Sequence, residues 1–488
     1  MATEYEAIIG IEVHAELNTK TKMFCGCKND PDERHPNVNV CPICMGHPGT
    51  LPVINREAVK KIVTIGLATH GEISNFAQFD RKQYFYPDLP KGYQISQYKH
   101  PIVQGGHLEI PGMERTVRLT RIHLEEDAGR LAHANGDSLV DYNRAGVPLM
   151  ELVTEPDVRS AEEAKRFAEE LRLLLQYTGV SNADMEKGEM RIEANVSLHK
   201  PNEPYGTKVE VKNINSFKAV QKAVEFEIDR QAKLLDKGEK IVQETRGWDD
   251  EKEITVSQRI KEEANDYRYF PEPDLPPLKL EYEFIQEAMG SVPELPAAKR
   301  ERFAREFSLP PKTTELFVSD RALAGFFEQS VSELMEWSEK NTCSAEDCAK
   351  GITLLANYLT SDLMRFLNES GTSIRDTRIT PENFAELIAL LLQKKITSPA
   401  AKQVLEEMFR EGGDPSSIVQ EKNLGISTDE GEIGAVADKV IAASEKAVGD
   451  YRNGKQEALQ YLIGQAMREL RGRASPDTLR DMFQKKLS

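Results

Sequence analysis

Glu151 is the residue around which the chemistry of this chain can be built. It lies in the stretch Leu119 to Asp157, LTRIHLEEDAGRLAHANGDSLVDYNRAGVPLMELVTEPD, where carboxylates alternate with arginines, histidines and aliphatics. A period of two places Val147, Leu149, Glu151 and Val153 on one side of a strand and Met150 and Leu152 on the other, so Glu151 is expected among buried neighbours. A buried, unpaired carboxylate carries a large desolvation cost, and Glu151 therefore calls for a metal, an arginine or a substrate cation. A structural pair with Arg144 or Arg121 meets the same requirement.

Other segments repeat the pattern. In IIGIEVHAEL, Ile9, Ile11, Val13, Ala15 and Leu17 alternate with Gly10, Glu12, His14 and Glu16. Two carboxylates bracketing a histidine at spacing two suit a hard metal or proton transfer, and the same alternation also suits a solvated polar face. A strand over 117–127 carries Arg121, His123, Glu125 and Asp127 on one face. MRIEANVSLH sets Arg191, Glu193 and Asn195 against Met190, Ile192 and Ala194, and TKVEVKN aligns Lys208, Glu210 and Lys212. Strands with acids, bases and amides on one side and aliphatics on the other predict an antiparallel sheet backed by helices, its free face a polar cradle.

Two further clusters stand out. Cys25-Gly26-Cys27 and Cys41-Pro42-Ile43-Cys44 form a C-x-C and a C-x2-C knuckle thirteen residues apart. Four thiolates so spaced suit a closed tetrahedral structural zinc, with His35 and His47 as spare ligands. Residues 79–98 interleave Arg81 and Lys82 with Tyr84, Phe85, Tyr86, Tyr93 and Tyr98 between prolines. Cations beside aromatics can hold phosphate and stack a base; a tyrosine-rich loop covering a sheet is the structural alternative.

The elements that carry these residues follow from caps and periodicity. Ser160-Ala161-Glu162-Glu163 reads as a capping box before an apolar stripe that Gly179 ends, and a second helix follows Ser216. Beyond the Pro-rich PEPDLPP the chain is helical, with Thr380-Pro381, Ser398-Pro399 and Ser475-Pro476 as helix starts and a break at Gly412-Gly413. The expected fold is α+β: a cradle domain over 1–290, a helical domain over 291–405 and a small helical tail domain over 406–488.

The 488 residues carry a net charge of −17, which excludes a generally basic nucleic-acid coat. Residues 450–488 reverse the balance, with eight Lys/Arg against five Asp/Glu, and Lys455, Arg468, Arg471 and Arg473 become candidate phosphate contacts; a solvated helix face is the alternative. No signal peptide or membrane span is expected, and the reading is cytoplasmic. No glycine-rich phosphate loop, dinucleotide fingerprint or nucleophile elbow is present, so ATP use would have to rest on carboxylate-held magnesium and basic side chains.

At this point the segments GIEVHAEL, FDRKQYFYPDLPKGYQISQ, HLEEDAGR, YNRAGVPLMELVTEPD, MRIEANVS, EVKNINSF, DYRYFPEPDLPP and YRNGKQEALQYLIGQAMRE resemble, in order and over essentially the whole chain, the B subunit of the aspartyl/glutamyl-tRNA amidotransferase. The resemblance implies a carbon–nitrogen ligase. Glutamate or aspartate misattached to tRNA is activated by ATP as an acyl phosphate and converted to the amide by ammonia. The ammonia would come from glutamine hydrolysis in a separate amidase (glutaminase) subunit, with a small third subunit completing a heterotrimer; a non-discriminating aminoacyl-tRNA synthetase is a further candidate partner. On this reading Glu12, His14, Glu125 and Glu151 hold magnesium and Glu126 and Glu193 support or replace them. Arg81, Lys82 and Lys212 meet phosphate or the tRNA terminus, and the C-terminal domain grips tRNA. A non-catalytic tRNA-binding scaffold, its acidic rows merely balancing arginines, is the competing reading.

Overall fold

In the computed structural model, the described residues are 5–134, 136–260, 267–341, 344–426, 430–453, 455–470 and 473–487. The chain divides into two compact units, Met1–Ala298 and Lys299–Ser488. The first is built on a ten-stranded sheet. Its long strands are β1 (Glu6–Glu16), β2 (Val117–Glu126), β3 (Pro148–Thr154), β4 (Met190–His199), β5 (Val209–Ile214), β6 (Glu244–Asp249) and β7 (Ile254–Ile260). They lie in the order β7-β6-β5-β4-β1-β3-β2, and the short strands Val103–Gln104 and Glu72–Ile73 continue the sheet past β2.

The alternation sorts the two faces as the sequence implies. Ile11, Val13, Ile122, Leu124, Met150, Leu152, Ile192 and Ala194 are at most 1% exposed and share one core with three helices. These are α1 (Arg56–Ala68), α2 (Ala161–Thr178) and α3 (Phe217–Asp236). Each fully buried residue of the size of Phe167 contributes roughly 1.5–3 kcal/mol of transfer free energy, which fixes the helices to that face and leaves the other free for polar side chains. The caps follow the chemistry: Ser160 accepts from the Glu163 amide, Glu163 in turn accepts from the Arg159 amide, and Gly179 ends α2 at φ +68°.

The sheet is not wholly antiparallel, as the alternation alone had implied. β5 and β6 pair in parallel, Glu210 opposite Thr245, because α3 is the crossover between them, and a parallel pair needs such a connection. Beside the main sheet, Asp80–Gln83, Tyr93–Ser96 and Phe270–Pro271 form a three-stranded sheet, and Arg130–Ala134 pairs with Asp137–Asp141 in a hairpin.

The second unit is helical among its described residues. Phe303, Phe317 and Phe327 pack its first layer, with the rings of Phe317 and Phe327 stacked at 4.4 Å. Position 405, read above as a boundary, falls inside the helix Ser398–Glu411, which Thr397 rather than Ser398 caps and Gly412 ends at φ +78°. Past that glycine, helices Glu430–Ala443, Gln456–Glu469 and Pro476–Leu487 enclose a core of their own around Ile433, Leu462, Leu479 and Phe483. No helix of the described residues is long and apolar enough to cross a membrane.

Candidate active site

The register of the sheet assembles the polar rows into one site. His14 lies opposite Glu151 on β3 and Arg191 on β4, Glu151 lies opposite His123 on β2, and Glu12 lies opposite Glu193. These side chains floor a cleft of about 390 Å³, which Lys82, Tyr84, Tyr98, Tyr267 and Tyr269 wall from the other side. A groove of about 770 Å³ elsewhere in this unit is larger, but its cations are engaged: Arg115 with Glu163, Arg159 with the carbonyls of Pro156 and Val158. The cleft is where ionisable groups converge, which makes it the candidate site.

Two ligand clusters lie side by side on the floor. In the first, the donor atoms of His14, Glu125 and Glu151 lie within 4.8 Å of one another, and in the second those of Glu12, Glu193 and Glu210 do. The magnesium set expected from sequence is thus divided: His14, Glu125 and Glu151 come together, whereas Glu12 joins Glu193 and a residue not singled out as a ligand, Glu210. Glu12 and His14 both face the cleft but are two residues, a full strand repeat, apart. Glu210 is oriented by the Thr245 hydroxyl at 2.6 Å, its opposite number where β6 runs parallel beside β5.

Electrostatics couple the first cluster. His14 Nε2 is 3.5 Å from Glu125 and 3.4 Å from Glu151, and Glu151 also meets His123 Nε2 at 3.5 Å and Arg121 at 3.4 Å. Burial works against a charged His14, yet the hydrogen bond to Glu151 and the two carboxylates hold its pKa up to about 9. Burial drives His123 the other way, down to about 4, so it is neutral. In the acid range where Glu151 would take up its proton His123 is charged as well, and His123, His14 and Lys82 outweigh its burial to hold it well below the usual carboxylate range, while burial and the Glu151 charge raise Glu125. Lys82, whose Nζ sits 5.0 Å from the Tyr267 ring centroid, keeps its proton against burial because Glu125 and Glu151 face it. In the second cluster burial and Glu193 raise Glu12, and Lys212 bridges Glu193 at 2.7 Å and Glu210 at 3.7 Å. Among the described residues, the buried His123 Nδ1 and Arg121 Nε of the cleft have no hydrogen-bond partner.

Two expected contributors point elsewhere. Glu126 follows Glu125 on β2 and therefore projects to the opposite side, where Lys91 binds it at 2.6 Å and the Ile95 amide at 2.9 Å. Arg81 likewise alternates with Lys82: Glu272 takes it in a bidentate pair at 2.7 and 2.8 Å and it stacks over Tyr93, outside the cleft. What sequence reasoning missed is a frame of ion pairs within the floor, whose Asp127 and Arg191 also line the cleft. Asp127 accepts from Arg144 at 2.7 Å and Arg191 at 2.8 Å, and Arg144 also pairs with Glu16 at 2.8 Å. Of the two carboxylates sharing Arg144, Asp127 keeps its charge, because Arg191 and Arg144 overcome its burial, and burial pushes Glu16 up to about 7. Arg144 is thus committed to this frame, and Arg121 alone of the two arginines considered above touches Glu151.

The sulfurs of Cys25, Cys27, Cys41 and Cys44 also lie within 4.8 Å of one another, in a loop region stabilised by little packing of its own. The Cys41 amide donates to Cys44 Sγ at 3.1 Å, and a hydrogen bond with Cys25 holds the Cys44 thiol down to about 5. His35 is engaged by Glu33 at 2.9 Å, and neither it nor His47 belongs to the sulfur cluster. In the tail, Lys455 pairs with Asp450, Arg473 pairs with Glu432, Arg468 is exposed on its helix, and Arg471 lies outside the described residues.

Comparison with known proteins agrees with this architecture. The family model described as the GatB/GatE catalytic domain matches residues 7–286, the whole region of the cleft, and a model described as the GatB domain matches residues 344–487. The B subunit of the aspartyl/glutamyl-tRNA(Asn/Gln) amidotransferase of Carboxydothermus hydrogenoformans is 47% identical, with 99% of each chain covered. The proteins of the same name from Gloeothece citriformis and Persephonella marina are 44% and 45% identical, with 99% of this chain covered by each and 98% and 100% of theirs. With one family model over residues 7–286, a second over residues 344–487 and relatives similar nearly end to end, the chain belongs to the family of aspartyl/glutamyl-tRNA(Asn/Gln) amidotransferase B subunits.

Proposed function

We propose that this protein carries out the activation step of tRNA-dependent amidation: ATP phosphorylates the side-chain carboxylate of glutamate or aspartate misattached to tRNA, and ammonia displaces the phosphate to leave the amide. The observation that supports this most is the pair of carboxylate clusters converging with Lys82 and Lys212 in one cleft of a chain belonging to this family. Their oxygen-rich donor sets fit a hard divalent cation such as magnesium, with His14, Glu125 and Glu151 as one set and Glu12, Glu193 and Glu210 as the other. A divalent cation bound there would neutralise charge on the transferred phosphoryl group. The protein's own residues orient the reactants: Lys82 and Lys212 line the cleft and set positive charge beside the carboxylates.

The relatives are named as one lettered subunit of an amidotransferase, which implies partner subunits; ammonia would come from an amidase (glutaminase) partner, with a small third protein completing a cytoplasmic heterotrimer. The test is reconstitution with those partners on Glu-tRNA(Gln) and Asp-tRNA(Asn), with ammonium chloride replacing glutamine in parallel. ATP- and magnesium-dependent amide formation on at least one substrate is expected from both nitrogen sources, and amidation without ATP would overturn the reading. A scaffold role has one observation in its favour, since protonated His14 between Glu125 and Glu151 balances their charge without an ion. It predicts no ATP consumption by the complex beyond that of its partners.

The sulfur cluster fits a structural zinc, because four sulfurs leave no open coordination position. Elemental analysis of protein purified under reducing conditions is expected to find one zinc per chain, and stripping it with a chelator is expected to lower the melting temperature. A zinc content near zero would contradict the assignment.

The tail domain is proposed to hold tRNA. Several of its cations sit in surface ion pairs such as Lys439–Glu469 and Lys486–Asp438, but exposed pairs contribute only about 0–1 kcal/mol and can be exchanged for phosphate. Removing residues 430–488, which have their own core, is expected to weaken tRNA binding and flatten its salt dependence while the remaining fold persists. Unchanged tRNA affinity after that deletion would contradict this assignment.

A further inference from the structure

The wall opposite the carboxylates is a continuous arc of tyrosines. Tyr98 and Tyr269 stack at 4.5 Å with 12° between their planes, Tyr269 meets Tyr267 edge-on at 6.1 Å, and Tyr267 meets Tyr84 edge-on at 6.3 Å. All four line the cleft. Tyr98 is 52% exposed even though Tyr269 covers one side of it. A large aromatic ring left half in solvent beside an ionic site has no role in the core, which is complete without it.

The arc is held rigid from behind. The Tyr98 amide donates to buried Asp80 at 2.9 Å, and the pairing of Phe270 with Arg81 sets the neighbouring Tyr269 in place. Fixed rings with one partner missing are what a stacking platform requires, since every base has a face to offer and little entropy is lost on binding. Two rings in from Tyr98 stands Lys82, its ammonium over Tyr267, and it lines the cleft with the acidic floor. A ligand matching this order has a flat aromatic group at the mouth and phosphate toward Lys82.

We infer that Tyr98, backed by Tyr269, is the seat of a purine base, the adenine of an adenosine whose phosphate lies toward Lys82. This rests on the activation reading above and deepens it. Two reactants of that reaction carry such a group, ATP and the 3′-terminal adenosine of tRNA.

The experiment uses the full chain reconstituted with its partner subunits, as wild type and as Tyr98→Ala, Tyr98→Leu and Tyr98→Phe. Affinities are measured for a non-hydrolysable ATP analogue and for inorganic triphosphate, each with magnesium, and for acceptor-stem minihelices ending in CCA or in CC. Tyr98→Ala and Tyr98→Leu are expected to bind one adenosine-bearing probe about tenfold or more weakly, the scale of a lost base stack. Their affinity for the probe lacking that adenosine should be unchanged, and Tyr98→Phe should retain wild-type binding. The weakened arm identifies the source: the ATP analogue against triphosphate, or the CCA helix against the CC helix. Leu supplies apolar area without a ring, so a loss shared by Ala and Leu with unchanged melting temperatures is due to stacking. Wild-type affinity of both variants for both adenosine probes would overturn the inference while leaving ATP-dependent activation intact. A wild-type complex that binds neither the ATP analogue nor a CCA helix would instead overturn the activation reading itself.

Discussion

Replacing Glu151 by Gln is expected to lower phosphoryl transfer to the misacylated carboxylate by at least about 100-fold, the scale on which loss of a charged active-site contact is felt. The exchange keeps the shape of the side chain and removes its charge. Glu151 is the hub of its cluster, meeting His14, His123 and Arg121 at once, so the amide loses the site one of its ionised oxygens without opening a cavity. Affinity for tRNA and glutamine hydrolysis by the partner should stay near wild type, because the tail domain is proposed to hold the tRNA and glutamine is cleaved in another subunit. A purely structural Glu151 predicts a different pattern: a lower melting temperature, activity retained in the cold and an unaltered magnesium requirement. A magnesium titration of activation beside a thermal melt separates the two.

Replacing Asp127 by Ala is expected to have the largest effect on stability, about 3–5 kcal/mol, because it leaves Arg144 and Arg191 facing one another without their shared counter-charge. The sign of its pH dependence follows from the folded pKa. Arg191 and Arg144 outweigh burial and depress it, so Asp127 contributes fully above the unfolded carboxyl value of about 3.9, and the contribution is lost as pH falls through the lower folded value. The stability gap between wild type and variant should therefore be widest near neutral pH and close in acid. A chemical-denaturation series over pH measures it, and a gap that widened on acidification would contradict the assigned charge.

Much of this architecture can be read in the sequence because a strand exposes its pattern directly. Glu12 with His14, Arg121 with His123 and Glu125, and Arg191 with Glu193 each sit at spacing two, and that spacing alone puts them on the polar face. Which rows become neighbours is a different matter, set by register. Glu12 and His14 look like one ligand set along the chain, but pairing across β1 assigns Glu12 to Glu193 and Glu210 and His14 to Glu151 and Glu125. The same periodicity, applied strictly, separates Glu125 from Glu126 and Lys82 from Arg81; proximity in sequence was the weaker guide. Tyr267 and Tyr269 close the cleft on Lys82 from nearly two hundred residues away through the pairing of Phe270 with Arg81, a contact no local pattern encodes. The two cysteine pairs are the opposite case, since their spacing is itself the signal, and the four sulfurs converge as that spacing implies.

The most direct test of activation in the cleft is to follow oxygen. Misacylated tRNA carrying a heavy-oxygen label in the glutamate or aspartate side-chain carboxylate is converted by the reconstituted complex with ATP, magnesium and ammonia, and the inorganic phosphate released is analysed by mass. Attack of the carboxylate on the γ-phosphorus, followed by displacement by ammonia, leaves one carboxylate oxygen on the phosphate. The account predicts one heavy oxygen per phosphate for the wild-type protein, and labelled phosphate forming at least about 100-fold more slowly for Glu151→Gln. Phosphate free of label, or labelled phosphate forming at the wild-type rate in the variant, would contradict it.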